Sequence, residues 1–140
     1  MQLTQHTDFG IRLLIVLARE GKAVALPQFA ANQSLSYHHV AKVAQELVRA
    51  GFIISHRGRS GGVELARAPE DIRIGEVVRA LEPGLRLADC ASCALRGDCA
   101  TSGLLAEALA AFLAVLDRKT LAQAAQRGLP ANPAWASPAG

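Results

Sequence analysis

Between Pro27 and Ala66 the hydrophobic pattern switches from a helical period of about 3.6 residues to a strand period of about 2, an order few folds accommodate. Pro27 opens a short segment, Gln28 to Gln33. After Ser34-Leu35-Ser36, Ser36 is a natural N-cap for a stretch in which Val40, Val43, Ala44 and Leu47 share one face, and Gly51 ends it. Two short helices so separated match the helix-turn-helix pattern. Phe52 to His56 is then β-rich, Arg57 to Gly62 is a glycine-rich turn and Val63 to Ala66 a second strand, so a hairpin follows directly. The expected fold is therefore mainly α with a small β-hairpin wing: a winged helix-turn-helix.

The flanks extend this core. Thr4 to Glu20 carries an apolar stripe at Phe9, Leu13, Leu14, Val16 and Leu17, with Gly21 as its stop. Asp71 to Ile74 reads as short and β-like, Glu76 to Leu81 as a brief helix, and Pro83-Gly84 as a break. From Ser102 to Asp117 a long helix carries Leu105, Leu109, Phe112, Leu113 and Leu116 along one side. It is either a core helix or one that pairs with helix one or a second subunit, and a homodimer with twofold symmetry would match a palindromic DNA site. Thr120 can cap a last short helix ending near Gly128, and the Pro- and Ala-rich stretch from Pro130 is expected to be disordered.

The expected organisation is a winged-helix domain over 1–82, with helix one also packing on the dimerisation helix. A cysteine loop over 83–101, the dimerisation helix and short last helix over 102–128, and a tail over 129–140 complete it. The 140 residues suit one domain. The apolar run Ile11 to Ala18 ends at Arg19-Glu20, so no segment is expected to span a bilayer and the chain is read as soluble.

Charge divides the chain. Residues 1–67 hold eight of the 15 Lys and Arg against four of the 12 Asp and Glu, and they contain all 4 histidines, His6, His38, His39 and His56. A basic face is a common footprint for nucleic acid, although a solvated surface has the same composition. At the N-terminal end of the second helix of the pair, Ser36, Tyr37, His38, His39 and Lys42 are placed to reach DNA: hydroxyls and Lys42 suit phosphates, Tyr37 and the histidines suit base edges or backbone. In the wing, Arg57 and Arg59 flank glycines that allow close approach to a duplex, so an arginine could enter the minor groove. The glycine cluster is not a phosphate-binding loop, because no Lys-Ser or Lys-Thr follows and the next element is a strand.

The second territory is Cys90, Cys93 and Cys99, the chain's only cysteines. An odd count closes no disulfide framework and Met1 to Thr7 is unlike a secretory signal, so a reducing, cytoplasmic setting is expected. Thiolates grouped on a loop with Gly and Asp point to zinc or to the iron of an iron–sulfur cluster. Three ligands are one short of the usual four; the fourth would come from elsewhere in the fold, a second chain or a small molecule. The bland alternative is three small buried hydrophobes. The two-residue gap between Cys90 and Cys93 also resembles zinc and rubredoxin-like half-sites. No histidine lies near these thiols to act as a base, so the chain is not expected to be an enzyme.

A family resemblance runs from Met1 to about Gly128. Met1-Gln2-Leu3-Thr4, Thr7 to Arg12, Arg49-Ala50-Gly51-Phe52, Arg57-Gly58 with Gly61-Gly62, Ile72 to Glu76 and the trailing cysteines resemble the Rrf family of winged-helix iron–sulfur regulators. The Thr-Asp-Phe-Gly segment and His39 with Lys42 are more similar to its nitric-oxide-sensing repressors than to the branch controlling cluster assembly. The resemblance implies a dimer whose cluster, 4Fe-4S ahead of 2Fe-2S, is held by Cys90, Cys93 and Cys99. In some members an Asp of the partner chain is the fourth ligand, and Asp8 matches it; Asp8 equally suits a helix start. The resemblance further implies a cluster-loaded form that represses at operator DNA and is released by nitric oxide. A regulator responding to iron or cluster status, and a zinc or thiol redox sensor, are the competing readings.

Overall fold

The structure is a computed structural model and describes residues 2–127; the expected tail lies outside the described residues, and the last helix, expected to end near Gly128, ends at Ala124. In chain order the elements are α1 (Gln5–Glu20), α2 (Leu26–Asn32), α3 (Tyr37–Arg49), β1 (Ile53–His56), β2 (Gly62–Leu65), a 3-10 turn (Pro69–Asp71), α4 (Ile74–Leu81), α5 (Ala100–Asp117) and α6 (Leu121–Ala124). The expected winged helix is present.

Helix α1 is capped by Thr4, whose side chain accepts the Thr7 N–H, and ends where Gly21 turns left-handed with φ 64°. Its face of Gly10, Leu13, Leu14 and Leu17 is buried against α3, α4 and α6. Gly10 sets the approach: a Cβ there would run into Leu81 of α4 and stand 3.3 Å from Val43 of α3. Leu14, Leu47, Ile53, Ile72, Val77 and Leu121 are almost fully buried, so one core joins all these elements. The hairpin is antiparallel, with Ile53 opposite Leu65 and Ser55 opposite Val63. Val24 adds a bridge on the outer side of Val63, with two N–H to carbonyl bonds of 2.9 Å.

Two helix starts differ from expectation, and local side-chain bonds explain both. The residues read as β-like contain one bridge, Arg73 to Thr120, preceded by the 3-10 turn, and α4 begins at Ile74. Glu76 does not begin the helix; its carboxylate accepts the Arg73 N–H at 2.9 Å from inside the first turn. Likewise α5 starts at Ala100 with Cys99 as its N-cap, because Ser102 bonds back to the Cys99 carbonyl at 2.8 Å. Thr120 caps α6 as expected, accepting from Gln123 N–H at 3.2 Å.

Helix α5 is not a core helix, since none of its residues is buried. Phe112, Leu113 and Leu116 touch the core, while Leu105 and Leu109 are half-buried and Leu104 is 63% exposed. Its partner within the chain is α4, to which it is fixed by two parallel Arg79–Asp117 bonds of 2.7 Å. Asp117 lies over Gly75, in space a Cβ would fill. The expectation that no segment could span a bilayer needs correcting: α5, with a mean hydropathy of 1.5 over 18 residues, is long and apolar enough by length and composition. Alanine and leucine dominate it, and Glu107 and Asp117 are its only charges.

A polar clamp joins the ends of α1 and α4. One Glu82 oxygen accepts from the Thr4 N–H at 2.6 Å and from the Thr4 and Thr7 hydroxyls at 2.7 Å each. Burial alone would raise the Glu82 pKa; the bonds from Thr7 and Thr4, aided by His6, outweigh it and hold the carboxyl below its ordinary value. A depressed native pKa contributes stability that is present above the unfolded value of about 4.3 and is lost as pH falls through the folded value. Glu82→Gln should therefore lower stability at pH 7 and flatten its decline on acidification, measured by urea unfolding at several pH values; an unchanged profile would show that the clamp contributes nothing.

Candidate nucleic-acid interface and metal centre

Burying Val40, Val43, Ala44 and Leu47 leaves the opposite side of α3 in solvent. His38, His39 and Lys42 are exposed and Tyr37 is 54% exposed. The Ser36 carbonyl accepts the Val40 N–H at 3.1 Å, but the Ser36 side chain makes no capping bond, so its hydroxyl is available. The two histidine rings diverge, with centroids 6.0 Å apart. His39 turns toward α1, where it lines a cavity of about 210 Å³ with Gln5, His6, Phe9 and Lys42. There His6 meets Glu46 of α3 at 2.7 Å.

Two residues that the sequence reading passed over belong to the same surface. Gln45 and Arg49 are exposed and, at helical spacing, continue the line of His38 and Lys42. That spacing was the available signal.

In the wing, Arg57 and Arg59 are exposed at the hairpin tip beside Gly58, whose φ of 109° suits glycine alone. The other two glycines, Gly61 and Gly62, have structural roles. A Cβ on Gly61 would lie 2.6 Å from the His56 carbonyl oxygen, and one on Gly62 would strike the Val24 carbonyl. They close the hairpin and dock it on Val24. Among the described residues Lys42, Arg49, Arg57 and Arg59 make no ion pair, whereas Arg12, Arg67 and Arg79 do. The surface is thus basic and electrostatically unanswered.

The cysteines sit on the connection from α4 to α5 and line one cavity of about 230 Å³ with Leu95, Arg96, Gly97 and Ser102. Local turns build it: Arg96 N–H bonds the Cys93 carbonyl at 3.1 Å, Leu95 N–H the Cys93 sulfur at 3.4 Å, and Gly97 takes φ 91°. Cys93 is exposed and Cys90 and Cys99 are half-buried, so they are not core hydrophobes. Backbone N–H groups of Ser102 and Thr101, at the start of α5, hold the Cys99 thiol below its ordinary pKa. A thiolate is the form a metal requires.

Three soft donors around one cavity, one of them stabilised as an anion, fit a thiolate-ligated metal group. Among the described residues no three His, Cys, Asp or Glu side chains are grouped so as to hold a single ion. Asp8 is not among the residues lining this cavity: it is paired to Arg12, Nε to Oδ1 at 3.1 Å and Nη2 to Oδ2 at 2.6 Å.

A winged helix with an unanswered basic face, joined to a thiol-lined loop and a long, partly covered helix, defines a DNA-binding transcriptional regulator. The chain belongs to the Rrf2 family, described as iron-dependent transcriptional regulators, whose profile matches residues 3–127. It is similar to the HTH-type transcriptional regulator NsrR of Halalkalibacterium halodurans, 43% identical over 128 residues, 86% of this chain and 88% of that one. NsrR of Bacillus subtilis is 41% identical over 128 residues, again 86% of this chain and 88% of the relative. Among solved structures, CymR (YrzC), the global cysteine regulator of B. subtilis, superposes with a TM-score of 0.76 at 26% identity, over 89% of this chain and 96% of that one. T. potens IscR gives a TM-score of 0.74 at 27% identity, over 95% and 94%.

Proposed function

We propose that the chain is a cytoplasmic, homodimeric repressor that carries an iron–sulfur cluster of the 4Fe-4S type and leaves operator DNA in response to nitric oxide. The observation that carries this reading is a thiol-lined cavity and an unanswered basic α3 and wing surface in one chain, 43% identical to an NsrR. Cys90, Cys93 and Cys99 would hold the cluster, with Asp8 of the partner subunit as fourth ligand. The cluster, when bound, supplies iron that reacts with nitric oxide. The match to a family of transcriptional regulators supports a regulator and not an enzyme.

The protein's own residues connect the two sites. The chain enters the cysteine loop just after Glu82, which grips Thr4 and Thr7 at the head of α1, and His6 in the same turn grips Glu46 of α3. A shift of the loop is passed along these bonds to the recognition helix. On the DNA, Ser36 and Lys42 meet phosphates, Tyr37, His38 and His39 meet base edges or backbone, and Arg57 and Arg59 reach the minor groove. The half-buried stripe of α5 supplies a twofold interface that spaces two such helices. A second reading, response to iron or cluster status, is favoured by the family's description as iron-dependent regulators.

The test is fluorescence anisotropy at fixed salt, using duplexes enriched from a random pool by anaerobically purified protein. Stoichiometric nitric oxide should weaken binding about tenfold or more; unchanged affinity would refute nitric-oxide sensing. Lys42→Ala or Arg59→Ala should weaken binding and reduce the salt slope by about one unit for each phosphate contact removed. If Lys42→Ala leaves affinity and slope intact, the docking is wrong.

A further inference from the structure

The exposed line on α3 extends beyond the residues that the proposed docking uses. His38, Lys42, Gln45 and Arg49 stand at successive helical turns opposite the buried face, and all four are exposed. Beside them, between α3 and the hairpin, runs an open groove of about 530 Å³. Its α3 wall includes Tyr37, Ala41, Gln45, Val48 and Arg49. Ala41 and Val48 are one turn before and after Gln45 on this side, so a side-chain amide is set between two small apolar groups.

That combination has a chemical complement. The major-groove edge of an A·T pair presents an acceptor and a donor on adenine, which a glutamine amide matches with two hydrogen bonds, next to the thymine methyl, which suits alanine or valine. Arg49 lies about 17 Å along the helix from His38, at a rise of about 1.5 Å per residue. A straight helix cannot follow the groove floor as it winds round the duplex. With the N-terminal end of α3 seated deepest, the Arg49 end lifts toward the sugar–phosphate backbone.

We propose that Gln45, with Ala41 and Val48, reads an A·T pair in each operator half-site, and that Arg49 anchors the adjoining phosphate. This rests on the DNA-binding reading above and assigns two determinants within it. Both side chains are exposed, so their replacement leaves the core intact, and circular-dichroism melting verifies the fold of each variant.

The experiment is selection from a randomised duplex pool by the full-length, anaerobically purified protein, with the wild type, Gln45→Ala, Gln45→Arg, Arg49→Ala and Arg49→Lys in parallel. Gln45→Ala should reduce the A·T preference at one position per half-site by about tenfold, and Gln45→Arg should turn that position toward guanine. Arg49→Ala should weaken binding to all sequences alike and lower the salt slope by about one, with Arg49→Lys restoring most of the loss. An unchanged motif with Gln45→Ala would overturn the base-reading assignment, and a sequence-selective effect of Arg49→Ala would overturn the phosphate assignment. If the wild type enriches no motif, the DNA-binding reading fails along with both.

Discussion

Cys93→Ala is expected to abolish retention of iron and sulfide while leaving the fold intact. Cys93 is exposed, and its sulfur accepts the Leu95 N–H at 3.4 Å, so its removal costs little packing. In the proposed ligand set it would be indispensable, because three thiols are already fewer than a cluster usually takes. Cys99 makes a poorer test: it is the N-cap of α5, and changing it would disturb the helix start as well. The measurement is iron and sulfide per chain with the visible spectrum after anaerobic reconstitution, alongside thermal melting and the oligomeric state. Retained iron would remove Cys93 from the ligand set; a lost dimer or fold would make the loop structural.

Gly62→Ala is expected to be strongly destabilising even though it adds one methyl group at the protein surface. The added Cβ meets the Val24 carbonyl, with the carbonyl carbon at 2.7 Å, and this backbone is held by both bonds of the Val24–Val63 bridge. Backbone cannot swing aside as a flexible side chain can, so the bridge must open. A cost of about 1–3 kcal/mol follows from overpacking of this kind, a large share of a stability of about 5–15 kcal/mol. The wing would also shift, carrying Arg57 and Arg59 with it, and DNA affinity should fall. Urea unfolding of the wild type and variant decides the point. A variant that unfolds like the wild type would show that the Val24 contact does not hold the hairpin.

Much of the fold was legible because it is local. The Val40, Val43, Ala44 and Leu47 spacing, Thr120 as a cap, and the glycine-rich turn each act within a few residues, and each element formed where those signals lie. Boundaries failed where a polar side chain had two local options: Glu76 caps from within α4, and Ser102 bonds back to Cys99. The candidate DNA surface was legible at Ser36, Tyr37, His38, His39 and Lys42 through helical spacing, and the same spacing extended further, to Gln45 and Arg49. The packing of Gly62 was not legible because its neighbour is distant in sequence. Nothing near Gly62 indicates that Val24 packs on it.

From residue order alone come the winged helix, the thiol cluster and the basic N-terminal half, since periodicity, turn chemistry and ligand type are properties of short segments. Tertiary structure decided that α5 is only partly covered by its own chain, because burial depends on what packs against a helix and not on how apolar it is. It also decided that Glu82 is tied to Thr4 and Thr7, and His6 to Glu46. Those contacts join residues up to 78 positions apart, a separation that only the folded chain closes.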